Sequence, residues 1–241
     1  RPLISFYLNK PPAKGERGED FRTLPEKETG TEALLDTLVR DVQARQHMVR
    51  SILEDDEDVR PLAFISSKSM REGVGAVLAS IRQVLKVDLV EYRAQGSADG
   101  AFNYLRSKAE AAGIFVLLMG NLGSHHTEIS VEAFRGFALA DQIAPFIVIN
   151  DKDAKSAWSF TLLHELVHLW IGATGVSGAA AETGIEKFSN DVASAFLLPD
   201  HELGELNITR RADLAEVKEL IENFATLRLL SRSLVAYRLW R

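Results

Sequence analysis

Trp158-Ser159-Phe160-Thr161-Leu162-Leu163-His164-Glu165-Leu166-Val167-His168-Leu169-Trp170-Ile171 is the stretch on which the reading of this chain turns. It holds no Gly or Pro, and its helical pattern begins near Ala154 and stops at Gly172. Leu162, Leu163, Leu166, Val167, Leu169 and Trp170 make the helix apolar nearly all round, so it belongs in the interior. His164, Glu165 and His168 interrupt that apolar surround. Residues four apart share a helix face, so the two imidazoles can meet one metal ion. Glu165 sits about 100° round the axis from His164. A carboxylate there lies off the ligand face but can take a proton from water and later return it to a leaving amine. The competing reading is a polar face with two unrelated histidines. It conflicts with the apolar surround, because buried imidazoles need partners. Chance would give the pattern in roughly one such sequence in a hundred.

Working outward, the next question is the third ligand. The chain has no cysteine, which excludes disulfides, thiol nucleophiles, iron–sulfur centres and thiolate zinc sites. Any metal must be held by His and carboxylate. A catalytic zinc site uses three protein ligands and keeps a fourth position open. Downstream candidates are Glu182, Glu186, Asp191, Asp200, His201 and Glu202. Glu186 is preferred. It falls in the first turn of the helical pattern 185–198, whose face of Val192, Ala193, Phe196 and Leu197 turns toward a core. A helix also fixes a ligand better than the small-residue stretch 172–184, read as a mobile loop, which carries Glu182. Ordinary charge at a helix N-terminus is the alternative for Glu186. Asn190, four residues on, shares its face and can hydrogen-bond a ligand imidazole from behind.

The rest of the chain reads as α+β, mostly helical with a small three-stranded sheet. Helical patterns begin at Thr31, at the capping-box sequence Ser69-Met70-Arg71-Glu72, and at Phe102, the last stopping at Gly113. Continuous apolar runs of strand length occupy 114–119, 134–138 and 146–149. Two further helical patterns, 214–227 and 231 to the end, close the chain. The 241 residues are 46% hydrophobic and 26% charged, which excludes disordered and fibrous classes. Lys plus Arg number 28 against 34 Asp plus Glu, so a nucleic-acid surface over the whole chain is not expected. No apolar run reaches the roughly 18 residues of a membrane span, and no signal-peptide pattern is present, so the cytoplasm is the expected location. A start at Arg1 rather than Met marks the chain as an expected piece of a longer protein.

These motifs resemble the ImmA/IrrE metallopeptidases, a gluzincin-like group of bacterial and phage proteins. The resemblance rests on Phe160-Thr161-Leu162-Leu163-His164-Glu165-Leu166-Val167-His168-Leu169 and on Ile185-Glu186-Lys187-Phe188-Ser189-Asn190-Asp191-Val192-Ala193, closed by Phe196-Leu197-Leu198-Pro199. Tyr104-Leu105-Arg106, Gly113-Ile114-Phe115-Val116, Gly136-Phe137-Ala138 and Pro145-Phe146-Ile147-Val148-Ile149-Asn150 extend it over about 100 residues. It implies a zincin-type metal helix packed beside the sheet, with Zn2+ (or Mn2+ in its place) held by His164, His168 and Glu186. The family's third ligand is a Glu four residues before the Asn, which falls on Glu186. The family often has Cys-Asn or Ala-Asn where this chain has Ser189-Asn190; no ligand is touched. Arg1-Pro2-Leu3-Ile4-Ser5-Phe6-Tyr7-Leu8, Pro11-Pro12 and Asp20-Phe21-Arg22-Thr23-Leu24 are similar to the segment that follows a helix-turn-helix DNA-binding domain in one subgroup. That domain would lie upstream of Arg1. The implied organisation is a linker-like segment at 1–30, a helical segment packing on the peptidase at 31–95, a metallopeptidase core at 96–205 and a C-terminal helical segment at 206–241.

The expected function is a zinc-dependent endopeptidase in which Glu165 is base and then acid, with the substrate against the edge of the small sheet. The resemblance implies a helix-turn-helix transcriptional repressor as substrate, in trans or as the protein's own N-terminal domain, within a stress or mobile-element response. DNA would then be contacted only through the missing domain. The rival is a regulatory or sensor protein whose metal site is non-catalytic and which binds a partner protein or DNA. Glu165 separates the two, because a purely structural site has no need of it. A third possibility puts DNA contacts on Arg210, Arg211, Arg228, Arg232, Arg238 and Arg241, amid about as many acids. Arg135 and Lys152 flank the expected cleft, and His125-His126 reads as a surface pair.

Overall fold

The computed structural model describes residues 29–173, 175–177, 184–206 and 214–240. The expected linker at 1–30, Glu182 and the pair Arg210-Arg211 lie outside the described residues, apart from the first helical positions Thr29 and Gly30. Among the described residues the fold is α+β, with helices dominating and one mixed sheet. No helix among them is long and apolar enough to cross a membrane.

The sheet is built from β1 (Phe115–Leu118), β2 (Gly136–Leu139), β3 (Phe146–Ile149) and β4 (Gly175–Ser177), in the order β1-β3-β2-β4. β1 runs parallel to β3, whereas β2 is antiparallel to both β3 and β4. The first three are the expected strands. β4 lies within the stretch read as a loop, where a three-residue strand of Gly, Val and Ser has no pattern to betray it. It forms by pairing Gly136 with Ser177 and Ala138 with Gly175.

Both faces of the sheet are covered, which explains why its strands are continuous apolar runs without polar alternation. Phe137, Leu139, Phe146 and Val148 face α1 (Thr29–Glu54) and share a core with its Leu35, Leu38 and Val42. Val116, Ala138, Ile147 and Ile149 face the opposite way. There they join α2 (Val74–Leu85), α3 (Leu89–Arg93), α4 (Ala98–Ala111), α5 (Lys155–Ile171) and α6 (Gly184–Leu197) in the larger core. After α6 come the short α7 (Asp200–Leu203), then α8 (Leu214–Leu227) and α9 (Arg232–Trp240). Phe224, Leu234 and Val235 bring the last two into that core. Described residues on both sides of positions 95 and 205, from Ile65 to Val235, thus enter this larger core, while α1 packs in the other.

Local details depart from the pattern at two helix starts. Glu72 does accept a hydrogen bond from the Ser69 amide, at 2.9 Å, but the box closes a single 3-10 turn. Gly73, at φ 82, then resets the chain before α2 begins at Val74. α4 starts at Ala98 rather than Phe102, because Ser97 caps it by accepting from Gly100 N at 3.1 Å.

Polar contacts tie the covering helices down. Arg93 of α3 donates to the carbonyls of Leu197 and Arg228 and pairs with Glu202 at 3.2 Å, while Arg228 pairs with Glu202 at 2.9 Å. That network joins α3, α6, α7 and the end of α8. On the other face, Gln46 of α1 donates to Leu139 O and Ala144 O at 3.0 and 2.8 Å. Asp141, in the β2–β3 turn, accepts from the amides of Ile143 and Ala144 and pairs with Arg50 of α1 at 2.6 Å.

Burial would raise the Asp141 carboxyl, but the Ala144 and Ile143 amides and the Arg50 guanidinium outweigh it and hold it below the usual carboxylate range. A depressed folded-state pKa stabilises above the unfolded value, near 3.9, and that stabilisation is lost as pH falls through the folded value. Asp141→Asn is therefore expected to cost about 1–2 kcal/mol at pH 7, with the gap to wild type narrowing below about pH 4. Urea titrations at several pH values measure it, and a gap that stays constant down to pH 3 would contradict the assignment.

Candidate metal centre

α5 is buried from Trp158 to Trp170 with only Phe160 partly exposed. A helix with no solvent face must place every polar side chain against a partner. His164, Glu165 and His168 are 5%, 0% and 1% exposed. The partner for the histidines comes from α6. Its apolar face of Val192, Ala193, Phe196 and Leu197 enters the same core as Leu163, Leu166, Val167 and Trp170. That docking carries the first turn of α6, with Glu186, to the histidine pair.

Donor atoms of His164, His168 and Glu186 all fall within 4.8 Å of one another. His164 Nε2 lies 3.1 Å from His168 Nε2 and 3.1 Å from Glu186 Oε2, and His168 Nε2 lies 3.3 Å from Glu186 Oε1. A tetrahedral ion with bonds of about 2.0–2.1 Å has ligand–ligand edges of about 3.3 Å. The triangle has that size. Three electron-pair donors at such separations also require a positive charge among them, whether protons or a metal ion.

Asn190 Oδ1 lies 2.9 Å from His164 Nδ1. With the amide so oriented, Nδ1–H donates to it and Nε2 keeps the lone pair that a metal needs. Burial alone would raise the Glu186 carboxyl. Hydrogen bonds and charge from His164 and His168 outweigh it and hold the group at about 2. Glu186 is therefore an anion at any physiological pH, the state in which a carboxylate ligates. His168 Nδ1 has no hydrogen-bond partner among the described residues. Glu165 stands outside the donor triangle, as its helix position requires. It packs instead toward β2, where Oε1 lies 3.0 Å from the place a Cβ on Gly136 would occupy.

The other singled-out residues fall elsewhere. Asp191 accepts from Tyr237 OH of α9 at 3.0 Å, and Asp200 and Glu202 pair with arginines. Arg135 pairs with Asp153 at 3.0 Å and Lys152 with Glu128 at 3.1 Å. Arg228, Arg232 and Arg238 are each occupied by Glu or Asp, which leaves the expectation of phosphate contacts on them without support. The His125 and His126 rings lie against each other at the surface, with centroids 3.8 Å apart and planes tilted by 43°, and among the described residues no third ligand joins them. Tyr104, the tyrosine nearest the motif block in sequence, bonds Glu91 and the Asp88 amide. Tyr237 hydrogen-bonds to the Glu186 helix, and nothing in its sequence surroundings announced this.

A model of the peptidase family M78, described as the IrrE N-terminal-like domain, matches residues 109–239. This is more than half of the chain, and the protein belongs to that family of metal-dependent peptidases, as the motif resemblance implied. The match runs from the end of α4 through α5 and α6 into α9. A comparison with curated proteins gives no match.

If the triangle is the metal site, Glu186→Ala removes its one anionic donor and should abolish stoichiometric zinc in elemental analysis. Asn190→Ala should weaken zinc about 10–100-fold, as loss of a partner behind a ligand does. Glu182→Ala should leave binding nearly intact; zinc loss in that variant would transfer the third position to the loop.

Proposed function

We propose that the chain is a zinc-dependent endopeptidase, with His164, His168 and Glu186 as metal ligands and Glu165 as the proton carrier. The observation that carries the reading is the 3.1–3.3 Å donor triangle with a fully buried carboxylate one helix position away from it. Zinc bound there supplies a Lewis acid for the scissile carbonyl and lowers the pKa of a coordinated water toward 7. The chain supplies the rest. Glu165 accepts a proton from the attacking water and delivers it to the departing nitrogen. Asn190 holds His164 in the ligating tautomer, and Glu186 contributes the negative charge that favours a dication over protons. Mn2+ fits the same nitrogen and oxygen donors.

Family membership makes a protein the substrate. The resemblance in the motifs narrows this to a helix-turn-helix repressor, separate or fused upstream, cut in the cytoplasm during a stress or mobile-element response. A net charge of −6 supports a basic DNA-binding substrate, which would be steered to the protein at low salt. A folded domain offers no extended segment to a cleft, so the scissile bond is expected in a linker or a fraying helix end. An extended segment of that kind would lie along β4, an end strand of the sheet.

Glu165→Gln should keep zinc and lose cleavage by several orders of magnitude, about 10²–10⁴-fold from proton transfer alone. The measurement is incubation of the full-length protein with a helix-turn-helix repressor and zinc or manganese, with new termini mapped by mass spectrometry. Undiminished cleavage by the Gln variant would end the peptidase reading. Rapid, sequence-indifferent digestion of casein would replace the repressor by a general protein substrate.

A further inference from the structure

β2 reads Gly136-Phe137-Ala138-Leu139, small and large in alternation. Its two large residues point at α1, and Ala138 points into the core that holds α5. Gly136 faces that side too. A Cβ placed on it would lie 2.7 Å from Thr161 Cγ2, 3.0 Å from Glu165 Oε1 and 3.0 Å from Val148 O. Thr161 and Glu165 are four apart on α5, so one face of the helix crosses the strand at Gly136. The backbone itself makes no demand for glycine here. Gly136 is not among the glycines with positive φ, and it sits in regular register opposite Ile149 and Ser177. What excludes a side chain is α5 on one side, through Thr161 and Glu165, and the β3 carbonyl of Val148 on the other; the one polar side-chain atom in that contact belongs to Glu165.

We propose that the missing side chain at Gly136 seats the Glu165 carboxylate, which makes Gly136 a positioning residue for proton transfer. The inference rests on the reading of Glu165 as the proton carrier. An alanine at this position needs the space that the carboxylate occupies. Either α5 retreats from the strand or Glu165 turns to another rotamer. His164 and His168 project from other parts of the helix circumference, so the rotamer change leaves the donor triangle intact. A carboxylate displaced by about 1 Å is enough to cost about 10²-fold in rate.

The test is a cycle of variants, read by thermal unfolding of the zinc-loaded protein, by bound zinc and by cleavage of the repressor substrate. Thr161→Ser is included throughout, because it removes the methyl group that the new Cβ would meet first. In that background Gly136→Ala should lower Tm by roughly 3–10 °C. The loss should persist with Glu165→Gln, which keeps the side-chain volume, and shrink with Glu165→Ala, which removes it, leaving the part due to Val148 O. Zinc should stay at one per chain, while kcat falls roughly 10²-fold with KM unchanged. An equal Tm loss in all three backgrounds would overturn the proposal, as would native kcat in Gly136→Ala. The two readings fail separately. An active Glu165→Gln variant would remove the proton-carrier role while the stability coupling still reports on the contact. Absent coupling beside an inactive Glu165→Gln variant would remove only the role of Gly136.

Discussion

Two imidazole nitrogens and a carboxylate held 3.1–3.3 Å apart inside an apolar core set demands on everything around them. Electron-pair donors so placed repel unless a positive charge lies among them, and the interior offers little solvent to screen the repulsion. The arrangement therefore needs stiff supports. α5 brings two of the donors on one rigid face. α6 brings the third, and its position depends on the packing of Val192, Ala193, Phe196 and Leu197 into the core shared with α5. Asn190 adds orientation, holding the His164 ring at 2.9 Å from its amide oxygen.

The sheet answers the same demand from the other side. Because α5 is buried all round, it must lie close against β2, and the strand accommodates it with Gly136 and Ala138 on the facing side. The large residues Phe137 and Leu139 are displaced to the opposite face, where they would be exposed without α1. α1 lies before the family-matched range, which begins at residue 109. The helix thus closes a second core that the matched segment opens, and Gln46, Arg50 and Asp141 fasten it there.

Charge is arranged to hold the covering helices in place. Arg93 and Arg228 share Glu202, and both guanidiniums also engage at the junction of α3, α7 and the end of α8. Their side chains are less than a fifth exposed, so these pairs are only weakly screened by solvent. Arg228, Arg232 and Arg238, part of what looks like a basic C-terminal cluster in the sequence, are in the fold brackets between helices.

The sequence by itself determined the elements whose physics is local. The all-round apolar pattern of 158–171 made α5 a buried helix, and the four-residue spacing of His164 and His168 put them on one face. The apolar runs at 114–119, 134–138 and 146–149 became β1, β2 and β3. Helical placement singled out Glu186 and Asn190 from the other carboxylates and amides, and both lie at the histidine pair. Tertiary structure alone decided what rests on distant contacts. β4 is three residues of Gly, Val and Ser that become a strand only because β2 offers an edge. The capping box at Ser69 closes one turn because Gly73 follows it with a positive φ. The pairing of Tyr237 with Asp191 joins residues 46 apart. The glycine at 136 has no local reason at all. Its need arises from Thr161 and Glu165 of α5 and from the Val148 carbonyl of β3, and no periodicity along β2 records how near they come.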